Sequence, residues 1–216
     1  PPLFLDRFVG LRPLVETGYQ TVLLMRMIAN GLSEADITAR FAETCESIMF
    51  SEGLERSELV GLFGRIRDRW IDVSPEEWIG LHRFYPGVIE RMRESLPQRP
   101  VYIVTTKQER FVSLLLKSVG MEFPAERIFG LDRGMKKEVV LLQLLHEHGD
   151  GSSRVHFVED RLDTLMRVAD CGELTEIVLY FAEWGFVTAA DCQQAHKCPR
   201  ITAWGLDDFL VLNNSS

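Results

Sequence analysis

The sequence predicts an α/β protein in which a bundle of helices precedes a parallel sheet flanked by helices. Two observations carry that prediction. Residues 1 to about 90 read almost entirely as helix, with start and stop signals between apolar runs at helical spacing. From Val101 onward, short runs of β-branched and aromatic residues alternate with amphipathic stretches. Strands alternating with helices of this length imply a parallel sheet covered on both faces.

The bulk properties agree. A chain of 216 residues fits one large domain, or a core plus a smaller inserted one. Hydrophobic content of 46% with 26% charged residues excludes disorder of the whole chain. A net charge of -8 argues against a nucleic-acid backbone as partner, which needs clustered cations. It leaves room for a small phosphorylated substrate, because one local pocket of Lys and Arg suffices for that. The longest apolar run, Thr21 to Ala29, is interrupted by Arg26, so a membrane span is excluded. The residues from Pro1 onward do not read as a signal peptide, and a targeting segment upstream of Pro1 stays open. Cys45, Cys171, Cys192 and Cys198 are too scattered for a disulfide scaffold and suit a reducing compartment. Cys192, His196 and Cys198 lie close in sequence, but no second ligand pair has the spacing of a zinc site.

In order along the chain, the first helix is expected from Leu14 to Asn30, ended by Gly31. The next begins at Ser33, which can cap it, with Asp36 in its first turn and Ile37, Phe41 and Ile48 on one face. Another starts near Ser57 and turns Leu59, Phe63, Ile66 and Trp70 inward. Ser74-Pro75-Glu76-Glu77 reads as a capping box with proline at the first helical position. Together these make a small antiparallel bundle over residues 1–90, and residues 91–216 form the α/β part. Tyr85-Pro86-Gly87 marks the return, and Val88 to Leu96 is helical. The strand from Val101 then ends abruptly in Thr105-Thr106-Lys107, and a helix follows with Phe111, Val112, Leu115 and Val119 on one face. Arg127 to Phe129 is a short strand. The helix after Met135-Lys136-Lys137-Glu138 has Val139, Val140, Leu142 and Leu145 as its apolar run. Strands follow at Val155–Val158, Ile177–Phe181 and Arg200–Ala203, and a helical turn at Leu206–Leu210. Trp184-Gly185 reads as packing plus a turn.

The candidate site residues all sit at element ends. In an open α/β sheet, ligands are handled at the carboxyl ends of strands, where helix N–H groups can receive an anion. Thr105 lies at such an end, with Thr106 and Lys107 beside it. Lys136 and Lys137 stand at a helix start, where the dipole disfavours a cation and where an anion would offset that cost. Glu159, Asp160 and Asp163 follow a strand tip, a natural cradle for Mg²⁺. Each has a plainer alternative. Thr105 can satisfy a helix terminus, the lysines can be solvated, and the acids can simply stabilise the N-terminus of the next helix.

A hydroxyl, a lysine and an acid pair in this order resemble the second, third and fourth motifs of the haloacid-dehalogenase (HAD) superfamily. "IVTTKQERFV", "HFVEDRLDTL" and "FYPGV" look closest to helical-cap phosphatase-like members from photosynthetic organisms, over about Arg12 to Phe209. The resemblance implies a Rossmann-like core with an inserted helical cap, and Mg²⁺-dependent hydrolysis of a phosphate monoester through an aspartyl-phosphate. Thr105 and Lys136 would then hold and stabilise the phosphoryl group, with Thr106 and Lys107 contacting substrate. Glu159, Asp160 and Asp163 would complete the metal site. Lys136 is preferred over Lys137 because, in that pattern, glutamate follows the lysine by two positions, as Glu138 does. Glu159 departs from the usual Gly or Asp.

The first motif, an apolar strand ending in Asp-x-Asp, has no counterpart. The nearest segment is Leu3 to Phe8, where Phe8 occupies the second aspartate's place. With no initiator Met before Pro1, the expectation is that the nucleophile strand lies upstream and that residues 1–216 alone are inactive. The strands at Val101 and Val155 should then share no hydrogen bonds, the missing strand belonging between them. Such a protein is expected in the cytoplasm, or in a plastid if a targeting segment precedes Pro1. The competing reading is a HAD-like phosphate-ligand binding protein that has lost catalysis. A third, an unrelated nucleotide-binding domain, lacks any GxGxxG or Walker-type loop.

Overall fold

Eleven α-helices and five short strands, all paired in parallel, account for most of residues 2–148 and 154–211, which the computed structural model describes. They fall into two units. Pro1–Arg83 joins Thr106–Glu122, and Phe84–Thr105 joins Phe123–Ser216.

The first unit holds α1 (Pro2–Leu11), α2 (Gln20–Ala29), α3 (Glu34–Glu52), α4 (Arg56–Val73) and α5 (Pro75–Gly80). After α6 (Val88–Ser95) and β1 (Ile103–Val104) in the second unit, the chain returns to the first for α7 (Glu109–Ser118). Residues 106–122 therefore belong with the helices, where the sequence reading places them in the α/β part. One core packs Leu23, Leu24, Met27 and Ile28 of α2 against Ile37, Phe41, Cys45 and Met49 of α3. Ser33 caps α3 by accepting from the Asp36 N–H at 3.1 Å, as its sequence position suggests. A second cluster joins Trp78 of α5 to Phe111 and Leu115 of α7.

Several details of the bundle depart from expectation. Leu3 to Phe8, the segment nearest to the missing strand motif, is part of α1. The first-unit helix expected from Leu14 starts at Gln20, because Pro13 lies in a 3-10 turn. On α4, Ile66 and Trp70 are not core residues, being 55% and 38% exposed. Its inner face runs instead through Leu59, Val60, Phe63 and Gly64 toward Ile71. Ser74 makes no side-chain cap, and one residue both closes α4, its N–H donating to the Trp70 carbonyl, and opens α5.

The second unit contains two parallel sheets. β1 pairs with β2 (Ile128–Phe129), and β3 (His156–Glu159), β4 (Val178–Ala182) and β5 (Ile201–Trp204) lie in that order. Among the described residues, β1 and β3 lie in separate sheets. Between the sheets in sequence stands α8 (Lys137–His148). Its Val140 and Leu144 pack on Phe129, and its Leu141 packs on the core of the other sheet, with Phe157, Leu179 and Phe181. Val139, expected inside, is 51% exposed. The unit is completed by α9 (Leu162–Asp170), α10 (Ala189–Ala195) and α11 (Leu206–Leu210). Among the described residues, no helix is long and apolar enough to cross a membrane. Every buried side-chain nitrogen and oxygen among them has a hydrogen-bond partner.

The revised inner faces are checked by truncation. Ile37→Ala empties a fully buried site and should cost about 2–5 kcal/mol in denaturant unfolding. Ile66→Ala should stay within about 0.5 kcal/mol of the parent.

Candidate functional site

Helix α8 makes a polar contact with another segment of the second unit at each of its ends. At its C-terminus, His148 Nε2 lies 2.6 Å from the Tyr102 hydroxyl, just before β1 begins. At its N-terminus, Lys137 Nζ donates to Glu159 Oε2 at 2.5 Å, at the carboxyl end of β3. Thr105 stands at the carboxyl end of β1, and Asp160 follows Glu159 at the carboxyl end of β3. The Thr105 N–H continues the β1–β2 ladder by donating to the Phe129 carbonyl at 2.9 Å.

The lysine at the acidic tip is Lys137. Lys136 is exposed, and its carbonyl accepts from Val139 and Val140 to begin the helix. Glu159 is 7% exposed, and its two oxygens are both engaged, Oε2 by Lys137 and Oε1 by the Arg161 N–H at 3.1 Å. Burial raises its pKa above the ordinary glutamate value, with the Asp160 charge adding to the rise and Lys137 opposing it. An unpaired carboxylate would not be tolerated there.

Asp160 is held differently. Its Oδ2 accepts from the Phe186 N–H at 3.1 Å. A β-carbon on Gly185 would lie 2.3 Å from Asp160 Cβ and 2.5 Å from its Oδ2, so only glycine allows the two segments to approach. Trp184-Gly185, read from sequence as packing and a turn, is therefore the seat of this acid. Tyr85, read from sequence only as part of the turn before α6, is a further neighbour. Its hydroxyl pKa is raised by burial and also by the Asp160 charge. Asp163 is exposed in the first turn of α9, where it stabilises the helix N-terminus.

Thr106 and Lys107 lie in the first unit. Thr106 Oγ1 donates to the Glu16 carbonyl at 2.9 Å. Burial lowers the pKa of Lys107 to about 8, with the charges of Arg67 and Arg12 adding to the effect.

Among the described residues, no three His, Cys, Asp or Glu side chains converge as metal ligands. Glu159 is committed to Lys137, Asp163 points to solvent, and Asp160 is left as a single carboxylate. His196, of the cysteine-rich segment, faces Glu183 at 2.9 Å. Comparison of the chain with family models, curated proteins and solved structures finds no match.

Lys137→Met should destabilise the protein by about 3–5 kcal/mol, because it leaves a buried carboxylate without its cation. Because the pKa of Glu159 is higher folded than unfolded, the folded chain holds its proton more tightly. The stability contribution of Glu159 is therefore greatest at low pH, and it declines as pH rises from about 4.5 through the raised value. Glu159→Gln should flatten that slope in urea titrations repeated across pH. Gly185→Ala should displace Asp160 and cost about 1–3 kcal/mol by the same assay.

Proposed function

We propose that the second unit is the phosphate-handling core of a phosphohydrolase resembling the HAD superfamily, acting on a small phosphorylated molecule. What supports this reading is that Thr105, the Lys136-Lys137 pair and Asp160 stand at the end of β1, the start of α8 and the end of β3, with Lys137 paired to Glu159 beside Asp160. In this reading the Thr105 hydroxyl donates to a phosphoryl oxygen, and the lysines at the start of α8 balance its charge. Fixed donors aimed at developing charge are where most phosphoryl-transfer catalysis lies. Lys136 is exposed and can meet an incoming anion, while Lys137 remains on Glu159 and keeps the helix start in place. Mg²⁺ belongs to the reading by resemblance, with Asp160 as its one carboxylate here, and no step is assigned to it. The aspartate that would attack phosphorus has no Asp-x-Asp counterpart among the 216 residues. Residues 1–216 then bind phosphate without turning over esters.

A HAD-like protein that binds a phosphorylated ligand without hydrolysing it is the second reading. The engagement of both Glu159 oxygens within the protein favours it.

A phosphatase panel separates the two. On the first reading, a chain extended upstream to an Asp-x-Asp strand hydrolyses a generic phosphate ester in Mg²⁺ and loses activity in EDTA, whereas residues 1–216 are inactive. Turnover by purified residues 1–216 would refute the first reading. An inactive extended chain that still binds phosphate would select the second.

A further inference from the structure

The second unit leaves its exposed aromatic side chains in two turns. Among its described residues they are Phe84 at 36%, Tyr85 at 41% and Phe186 at 53%. Phe84 and Tyr85 lead into the turn before α6, where the Val88 N–H donates to the Tyr85 carbonyl at 3.2 Å. Phe186 follows the turn after β4, in which the Gly185 N–H donates to the Ala182 carbonyl at 3.1 Å. Helix α11 ties the two turns to each other. A β-carbon on Gly87 would lie 3.0 Å from the Leu210 side chain, and the Phe209 ring is 5.6 Å from that of Trp184.

The second of these turns is also the seat of Asp160. The Phe186 N–H donates to Asp160 Oδ2 at 3.1 Å, and Gly185 leaves no room for a β-carbon against that acid. The half-buried carboxylate is thereby held at the backbone of Phe186, and its charge also reaches the Tyr85 hydroxyl. A single exposed ring is ordinary, because apolar atoms make up much of any protein's exterior. Three of them confined to two joined turns, one of which holds the candidate acid, make a local apolar surface. Rings left to water beside fixed polar groups are how small-molecule sites take a flat apolar group.

We propose that Tyr85 and Phe186 receive a planar ring carried by the phosphorylated ligand, so that the ligand class is a phosphate monoester whose alcohol bears an aromatic ring. The proposal rests on the phosphate-handling reading of the second unit, in which Asp160 and the lysines at the start of α8 stand at the phosphate. Lys137 meets Glu159, the neighbour of Asp160, so ligand atoms beyond the phosphate come within reach of the residues around Asp160. A ring there covers Tyr85 and Phe186, whereas a short alkyl group leaves them in water. The two kinds of ester then differ by the apolar area removed from water, with the geometry of ring on ring adding to it.

The test is calorimetry on residues 1–216 in Mg²⁺, with phenyl phosphate and methyl phosphate as the two probes. Phenyl phosphate should bind about ten-fold tighter than methyl phosphate. Tyr85→Ala and Phe186→Ala should each lower that preference to about three-fold or less, with the affinity for methyl phosphate unchanged. Phe50→Ala, which removes an exposed ring of the other unit, should alter neither affinity. Tyr85→Leu and Phe186→Leu keep apolar bulk and replace an alanine variant that fails to fold, and they too should lower the preference. Equal affinity of the wild-type chain for the two esters, or a preference kept in full by both ring variants, would overturn the proposal and leave the phosphate-handling reading standing. Binding of neither ester would overturn that reading and the proposal with it.

Discussion

The second unit depends on the ion pair between Lys137 and Glu159. A carboxylate at the carboxyl end of β3 that is 7% exposed must be matched by a cation and hydrogen-bonded at its remaining oxygen. Lys137 supplies the first requirement and the Arg161 N–H the second. Meeting the first fixes the start of α8 against the tip of β3 and sets the rotation of the helix. With position 137 turned toward the strand, positions 140, 141 and 144 follow on the same side at helical spacing. Those are the residues of α8 that are buried. Val140 and Leu144 then cover β2, Leu141 covers the sheet of β3 to β5, and one helix serves two sheets that share no ladder.

The resemblance pointed to the neighbouring lysine through the position of Glu138, and the apolar pattern of the helix could not correct it. The run Val139-Val140-Leu141-Leu142-Gln143-Leu144-Leu145 is apolar almost throughout, so two helical phases fit it. Choosing 139, 142 and 145 puts Lys136 on the inner side, and choosing 140, 141 and 144 puts Lys137 there. Periodicity alone cannot separate them. The burial of Glu159, twenty-two positions away, decides between them and leaves no local trace. The strands were more legible, because β-branched and aromatic runs bounded by polar residues have few alternatives. β2 to β5 fall within a residue or two of expectation. β1 is shorter than the run from Val101, although the Thr105 N–H extends its bonding.

In the helical unit, capping was legible where the signal was isolated and misleading where two helices met. Ser33 stands clear of the preceding helix and caps as its type suggests. Ser74 has the same chemistry but stands at a junction, where it closes one helix and opens the next and its hydroxyl makes no cap. The face of α4 was misread because Ile66 and Trp70 fit an apolar spacing, while Gly64 and Arg67 do not advertise an inner position. Gly64 is buried because a β-carbon there would lie 2.7 Å from Gln108 Oε1. Such a contact comes from a segment more than forty residues downstream. The candidate acids divided in the same way. Their place at the strand tip was readable, but which of them was already occupied was not.

The helical unit is discontinuous in the chain: its last helix, α7, is separated from the first five by α6 and β1. During synthesis, Trp78 must wait for Phe111 and Leu115 before its cluster can close. At roughly 5–20 residues per second, that is a delay of seconds in which a large aromatic surface remains open. A cut near residue 90 would make the same exposure permanent. The bundle that looks separable on the page is therefore not a module that can be moved between proteins as one uninterrupted stretch of gene.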